Sequence, residues 1–165
     1  MIRPARPDEL TRLAAIEDAA EEGFAGTHMA FVRDLPHSAP AGSIPPHVKV
    51  WVSVDADDLP QGFLEAEPIE SWLHILEVSV HPSAQRQGRA RALVETALGH
   101  ARAAGLPMVS LTTDRLLPFN GPMYARRGFS ELSAAHAPRW LAAILAREAE
   151  HGFDPALRVA MARRP

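Results

Sequence analysis

The chain has 165 residues, 47% apolar and 22% charged, with a formal net charge of -3, the make-up of a soluble globular protein with a sizeable core. Having no cysteine and eight histidines without His-x-x-x-His or His-x-His spacing, it offers no disulfide framework, no thiolate nucleophile and no expected metal site. A mildly acidic chain is a poor general binder of nucleic acid, and no apolar run approaches membrane-spanning length or a signal-peptide core, so a cytoplasmic location is expected.

Residues 2–5 read as a short first strand. Pro7, Asp8 and Glu9 then mark a helix start, with proline in the first turn and acids favoured by the helix dipole. Leu10, Leu13, Ala14 and Ile16 give its apolar stripe, which ends near Gly23, and a short second helix is expected over residues 27–33. Residues 34–47 carry four prolines with Gly42, Ser38 and Ser43; connections of this kind are either binding loops and lids or plain spacers.

Val48, Val50, Val52 and Val54 alternate with polar or aromatic neighbours, the pattern of a half-buried strand. The turn at residues 57–62 returns the chain through residues 63–67, and another at residues 68–71 leads into residues 72–80. Three strands in succession predict antiparallel pairing. Beyond His81-Pro82, the apolar positions Ala90, Leu93, Val94, Ala97, Leu98 and Ala101 follow helical spacing. That helix ends at Gly105, and residues 108–113 form the next strand, so a parallel crossover is expected. A short helix stopped by Gly128, a strand, a helix from Pro138 carrying Trp140, Leu141, Ile144 and Leu145, and a last strand at Leu157, Val159 and Met161 complete the chain. No repeat, low-complexity tract or linker divides it, so one domain over residues 1–165 is expected.

Between the strand and the long helix lies Gln85-Arg86-Gln87-Gly88-Arg89-Ala90. A strand–turn–helix of this kind aims unpaired backbone N–H groups and the positive end of a helix dipole at one point, which suits a phosphate. Gly88 has no Cβ to hold such a group away from the backbone, and Arg86, Arg89 and Arg91 add positive charge. No Gly-Lys-Ser/Thr and no Gly-x-Gly-x-x-Gly is present, so neither a Walker-type loop nor a nicotinamide fingerprint is at hand.

Val78-Ser79-Val80-His81-Pro82, then Gln85-x-x-Gly88-x-Ala90, a helix, a strand and Tyr124-x-x-x-Gly128-Phe129 together resemble the GNAT superfamily of acetyl-CoA-dependent N-acetyltransferases. The resemblance covers nearly the whole chain and implies an α/β fold with a mixed, V-splayed sheet flanked by helices. It also implies acetyl-CoA as co-substrate, no metal and direct transfer to a primary amine. On this resemblance, the backbone of Val78 and Val80 pairs with pantetheine, the amides of Gln85, Arg86, Gln87, Gly88, Arg89 and Ala90 hold the pyrophosphate, and Tyr124 stands near the sulfur. Many members carry asparagine seven residues before the tyrosine; here that position is Leu117. Asn120, four residues before, is the cofactor or pocket candidate instead.

Attack on a thioester requires a neutral amine, and an amine of pKa about 10.4 is neutral in only about one part in 2,500 at pH 7, a cost of about 4.6 kcal/mol. Glu77, on the strand that would carry the thioester and on the face opposite Val78 and Val80, is the expected base; His81, Asp114 and Glu17 are weaker candidates. Tyr124, the only tyrosine, falls at the family's acid position. The acceptor is a small-molecule or peptide amine, with Trp51, Trp72, His74, Phe24 and the proline-rich loop as possible walls. An acceptor on a protein, and a CoA-binding module without turnover, are the competing readings. Homodimers are common in the family.

Overall fold

In a computed structural model, which describes residues 1–36, 42–133 and 135–165, the chain builds one seven-stranded sheet in the order β1-β2-β3-β4-β5-β7-β6. The strands are β1 Ile2–Pro4, β2 Lys49–Val54, β3 Pro60–Ile69, β4 Trp72–Val80, β5 Met108–Asp114, β6 Ser130–Glu131 and β7 Arg158–Arg163; the helices are α1 Leu10–Glu21, α2 Arg89–Ala103, α3 Gly121–Ala125 and α4 Arg139–Glu150. All pairs are antiparallel except β4 with β5, which is parallel. The middle of the proline-rich connection, residues 37–41, lies outside the described residues, and with it the expected lid. Among the described residues, no helix is long and apolar enough to cross a membrane.

The alternation in β2 decides which helix covers which face. Val50, Val52 and Val54 point to one side and meet Leu10, Leu13 and Ile16 of α1 together with Phe63. Trp51 and Leu64 point to the other side and join Leu93, Val94, Ala97, Leu98 and Ala101, the stripe of α2. Each fully buried leucine or valine of that stripe contributes about 1.5–3 kcal/mol relative to exposure. Where β3 meets the end of β4 there is no room for a side chain: a Cβ on Gly62 would lie 2.9 Å from the Ser79 carbonyl oxygen and from Val80 Cγ2.

Two features of β4 shape the opening in the sheet. Its pairing with β3 runs Glu65↔Glu77 and then Ala66↔Ile75, so Leu76 is an extra residue, a β-bulge. Because strand side chains alternate, one extra residue exchanges the faces. Leu73 and Ile75 on one side of the bulge, and Val78 and Val80 on the other, therefore all face α2. In addition, β5 pairs with β4 only from Trp72↔Met108 to Ile75↔Leu111. Beyond that point β4 stays with β3 as far as Val80, and β5 stays with β7 as far as Asp114. The sheet thus parts into a V, with the β5-facing edge of residues 76–80 left without a strand partner.

Candidate active site

The loop after β4 is braced by its own side chains. A 3-10 turn spans Pro82–Ala84, the His81 ring meets Ser83 Oγ at 2.8 Å, and Gln85 Nε2 donates to the Val80 carbonyl at 3.0 Å. The Gln85 amide donates to the Pro82 carbonyl at 3.3 Å, so the amides on offer begin at Arg86. Gly88 is the N-cap of α2 at φ +78°. The first α2 amide to reach its carbonyl is that of Ala92, on Gly88, so those of Arg89, Ala90 and Arg91 have no intrahelical partner. Nothing lies within 4 Å of where a Gly88 Cβ would stand. Free main-chain N–H groups, the positive end of a 15-residue helix and clear space above Gly88 fit a diphosphate. The Arg89 guanidinium is held by Ser53 Oγ at 2.9 Å and the Val54 carbonyl at 3.0 Å, so its charge is fixed toward β2. An open cleft of about 590 Å³, lined by Ser53, Asp55, Gln87, Gly88 and Arg89 among others, borders that side of the loop.

Inside the V, Glu77 projects from the face opposite Val78 and Val80, as alternation requires. It is half-buried and accepts a hydrogen bond from Ser79 Oγ at 2.7 Å. Burial, followed by the negative charge of Glu17, pushes the Glu77 carboxyl up to about 7. Directly across the ladder stands Glu65, 5% exposed, whose Oε2 has no hydrogen-bond partner. Burial and then the charges of Glu17 and Glu77 push Glu65 up to about 8. Two carboxyls facing each other in this setting resist ionising together.

Tyr124 comes from the α2 side of the sheet. It packs edge-on to Phe129, with ring centroids 5.7 Å apart, and is nearly buried. Its phenol is raised above the ordinary range, first by burial and then by the charge of Glu77, so acid and base candidates sense each other across the gap. The short helix that carries Tyr124 is seated by Gly121: a Cβ there would fall 2.8 Å from the Asp114 carbonyl oxygen and 3.1 Å from that of Arg115. The Asn120 carbonyl accepts from the amides of Met123 at 2.8 Å and Tyr124 at 3.1 Å, and its side chain makes no cap bond. Asn120 therefore starts α3 through its backbone.

On the α1 side of β5, Arg158 binds both oxygens of Glu148, at 2.8 and 2.9 Å, and donates to Thr112 Oγ1 at 3.1 Å. Its positive charge opposes the upward shifts at Glu77 and Tyr124. His28 Nε2 lies 2.5 Å from Asp114 Oδ2. Burial would raise the Asp114 carboxyl, but His28 and the amides of Leu117 and Leu116 together hold it below the ordinary range. These contacts occupy Asp114. His81 is turned onto Ser83. Trp51 and His74 are core: Trp51 lies in the α2 cluster, and His74, 2% exposed, meets Ser110 Oγ at 3.0 Å and the Trp140 ring. Trp72 also packs on Trp140. Glu65, Gly121, Arg158 and His28 escape a reading of the sequence.

The model of the acetyltransferase (GNAT) family matches residues 13–129. Among solved structures, the chain is similar to a GNAT-family acetyltransferase of Staphylococcus aureus Mu50, at 9% identity and a TM-score of 0.71, over 99% of this chain and 98% of that one. It is similar to the ribosomal-protein-S18-alanine N-acetyltransferase of Escherichia coli at 16% identity and a TM-score of 0.67, over 99% and 92%. It is also similar to the PaiA N-acetyltransferase of Thermoplasma acidophilum in complex with coenzyme A, at 13% identity and a TM-score of 0.69, over 100% and 98%. At these identities the likeness is one of fold.

Proposed function

Because the chain belongs to the acetyltransferase (GNAT) family, we propose that it is an N-acetyltransferase that moves the acetyl group of acetyl-CoA directly to a primary amine of a small molecule. When bound, acetyl-CoA supplies an activated thioester carbonyl. The amides of Arg86, Gln87, Gly88, Arg89 and Ala90 hold the pyrophosphate, and the unpaired edge of Val78 and Val80 receives the pantetheine arm as a strand would. Gln85 acts through its side chain, which fixes the end of β4. Asn120 sets the start of the helix that positions Tyr124.

Glu77 takes a proton from the incoming ammonium. A carboxyl near 7 accepts it far more readily than one near 4.5, and it is still half ionised at neutral pH. The amine nitrogen then attacks the carbonyl carbon, the carbon–sulfur bond breaks as the departing thiolate takes the Tyr124 hydroxyl proton, and the second proton lost by the nitrogen restores the neutral phenol. Burial raises the phenol and weakens it as a donor, but the same dry surroundings raise the thiol of the leaving group, so the transfer runs between two groups shifted alike. One observation supports the reading: where β4 and β5 part, a carboxyl held near neutrality stands close enough to a protonated phenol for its charge to raise it. The test is Tyr124→Phe. Turnover with acetyl-CoA should fall about 100-fold while calorimetric coenzyme A affinity stays within about twofold. Full turnover in Tyr124→Phe removes the phenol from the mechanism, and coenzyme A binding without thiol release for any amine points to a sensing module instead.

A further inference from the structure

Four of the six phenylalanines meet in two pairs on the α1 side of the gap: Phe24 with Phe119, centroids 5.6 Å apart, and Phe31 with Phe153, 5.1 Å apart. They join the α1–β2 connection to the β5–α3 loop and to the α4–β7 turn, three segments distant in sequence. Below the second pair is a cavity of about 250 Å³ whose apolar wall is Met29, Phe31, Phe153 and Leu157. Asp114 and Arg158, which line this cavity, are ladder partners at the end of β5 beyond the point where it leaves β4, and they lie on the sheet face opposite α2, the face from which Glu77 projects. We propose that this cavity receives the body of the acceptor, and that the acceptor is a small arylalkylamine without a carboxylate, its ring against Phe31 and Phe153 and its amine toward Glu77. The proposal rests on the acetyl-transfer reading and adds the substrate class.

Three observations select that class. At about 25–30 Å³ per non-hydrogen atom, the cavity holds roughly eight to ten such atoms, which is a phenyl ring with a two-carbon tether. The polar groups on its wall are already engaged. Asp114 is bound by His28 and by the Leu116 and Leu117 amides, Asp154 Oδ1 by the Ala156 amide, and Arg158 by Glu148. A carboxylate would therefore find no free cation. It would also meet the negative charge of Asp114 and Asp154.

The test follows thiol release from acetyl-CoA by the full chain with 2-phenylethylamine, phenylalanine, butylamine and 1,4-diaminobutane. Phenylethylamine should exceed butylamine in kcat/KM by about 30-fold, the worth of burying a ring, and phenylalanine by more. Phe31→Ala should lower the phenylethylamine value about tenfold and the butylamine value by much less, with far-ultraviolet circular dichroism reporting an intact fold. Should that variant not fold, Leu157→Phe, which fills the cavity, should do the same. A preference for the diamine or for butylamine, equal use of phenylalanine, or a ring preference that survives both variants overturns the proposal and leaves the transfer reading standing. No release with any amine overturns that reading, and the proposal with it.

Discussion

Replacing Glu77 by glutamine keeps the shape of the side chain and removes its ability to take a proton. Raising the carboxyl from 4.5 to about 7 makes proton uptake from the ammonium easier by about 3.4 kcal/mol. Without that acceptor, the Glu77→Gln enzyme depends on the amine already neutral in water, about one part in 2,500 at pH 7. At pH 7, kcat/KM should fall by about 10²–10⁴, the usual worth of a positioned base. The shape of the pH profile is more telling than the size of the loss. The natural enzyme should rise through a limb near 7 and then level off, because an ionised base serves a protonated amine and no base is needed above the amine's own value, about 10.4 for a lysine-like acceptor. The Glu77→Gln enzyme should climb tenfold per pH unit until the amine is neutral, and there approach the natural rate. Initial rates of thiol release from pH 5.5 to 10.5 at low amine concentration give both curves. A Glu77→Gln enzyme that keeps the limb near 7 refutes the assignment of Glu77 as base.

Glu65→Gln should change stability. A carboxyl raised from 4.5 to about 8 binds its proton more tightly folded than unfolded. The natural chain should therefore lose stability as pH rises from about 4.5 through 8, by at most about 4–5 kcal/mol; the variant should gain in Tm relative to it at pH 9 and show no such gain at pH 5. Gly88→Val places a branched residue at φ +78°, costs about 1–2 kcal/mol of strain and crowds the amides; calorimetry should record at least about a tenfold loss of coenzyme A affinity. Gly121→Ala drives a Cβ to 2.8 Å from a backbone oxygen. It should cost about 1–3 kcal/mol in a denaturant titration and lower kcat with little change in coenzyme A affinity, because it shifts Tyr124 and leaves the amide loop untouched.

What a sequence discloses depends on how local the cause is. The strand of Val50, Val52 and Val54 and the stripe of α2 were legible because their periods are written in consecutive residues. Gly88 was legible because the left-handed turn before a helix selects that residue. The ends of β3 were less so: residues 63–67 were expected, yet the strand runs Pro60–Ile69, since its outer residues are held by β2 and β4 and not by their own pattern. His28 and Asp114 stand 86 residues apart, and neither carries a mark of its partner. Phe24, a wall candidate, packs on Phe119, whereas Trp51 and His74 are buried where α2 and α4 cover their faces of the sheet, and Trp72 lies half-buried against Trp140.

The bulge at Leu76 shows why the site itself was only half readable. Alternation alone placed Glu77 opposite Val78 and Val80, and that relation holds on either side of a bulge. Which helix each face meets is a separate matter, fixed by the register with β3. Without the extra residue, the face of Leu73 and Ile75 would continue through Glu77 and Ser79, burying a carboxyl against Leu93 and Leu98 and turning Val78 toward the acceptor. The bulge exchanges the faces just where β5 departs. One inserted residue therefore keeps the apolar stripe over α2 intact, brings Glu77 opposite Glu65, and aims Glu77 away from the α2 side on which Tyr124 lies. The pairing that raises the Glu65 carboxyl and the placement of Glu77 and Tyr124 on opposite faces share this single cause, which lies in the partner strand and not in the residues of the site.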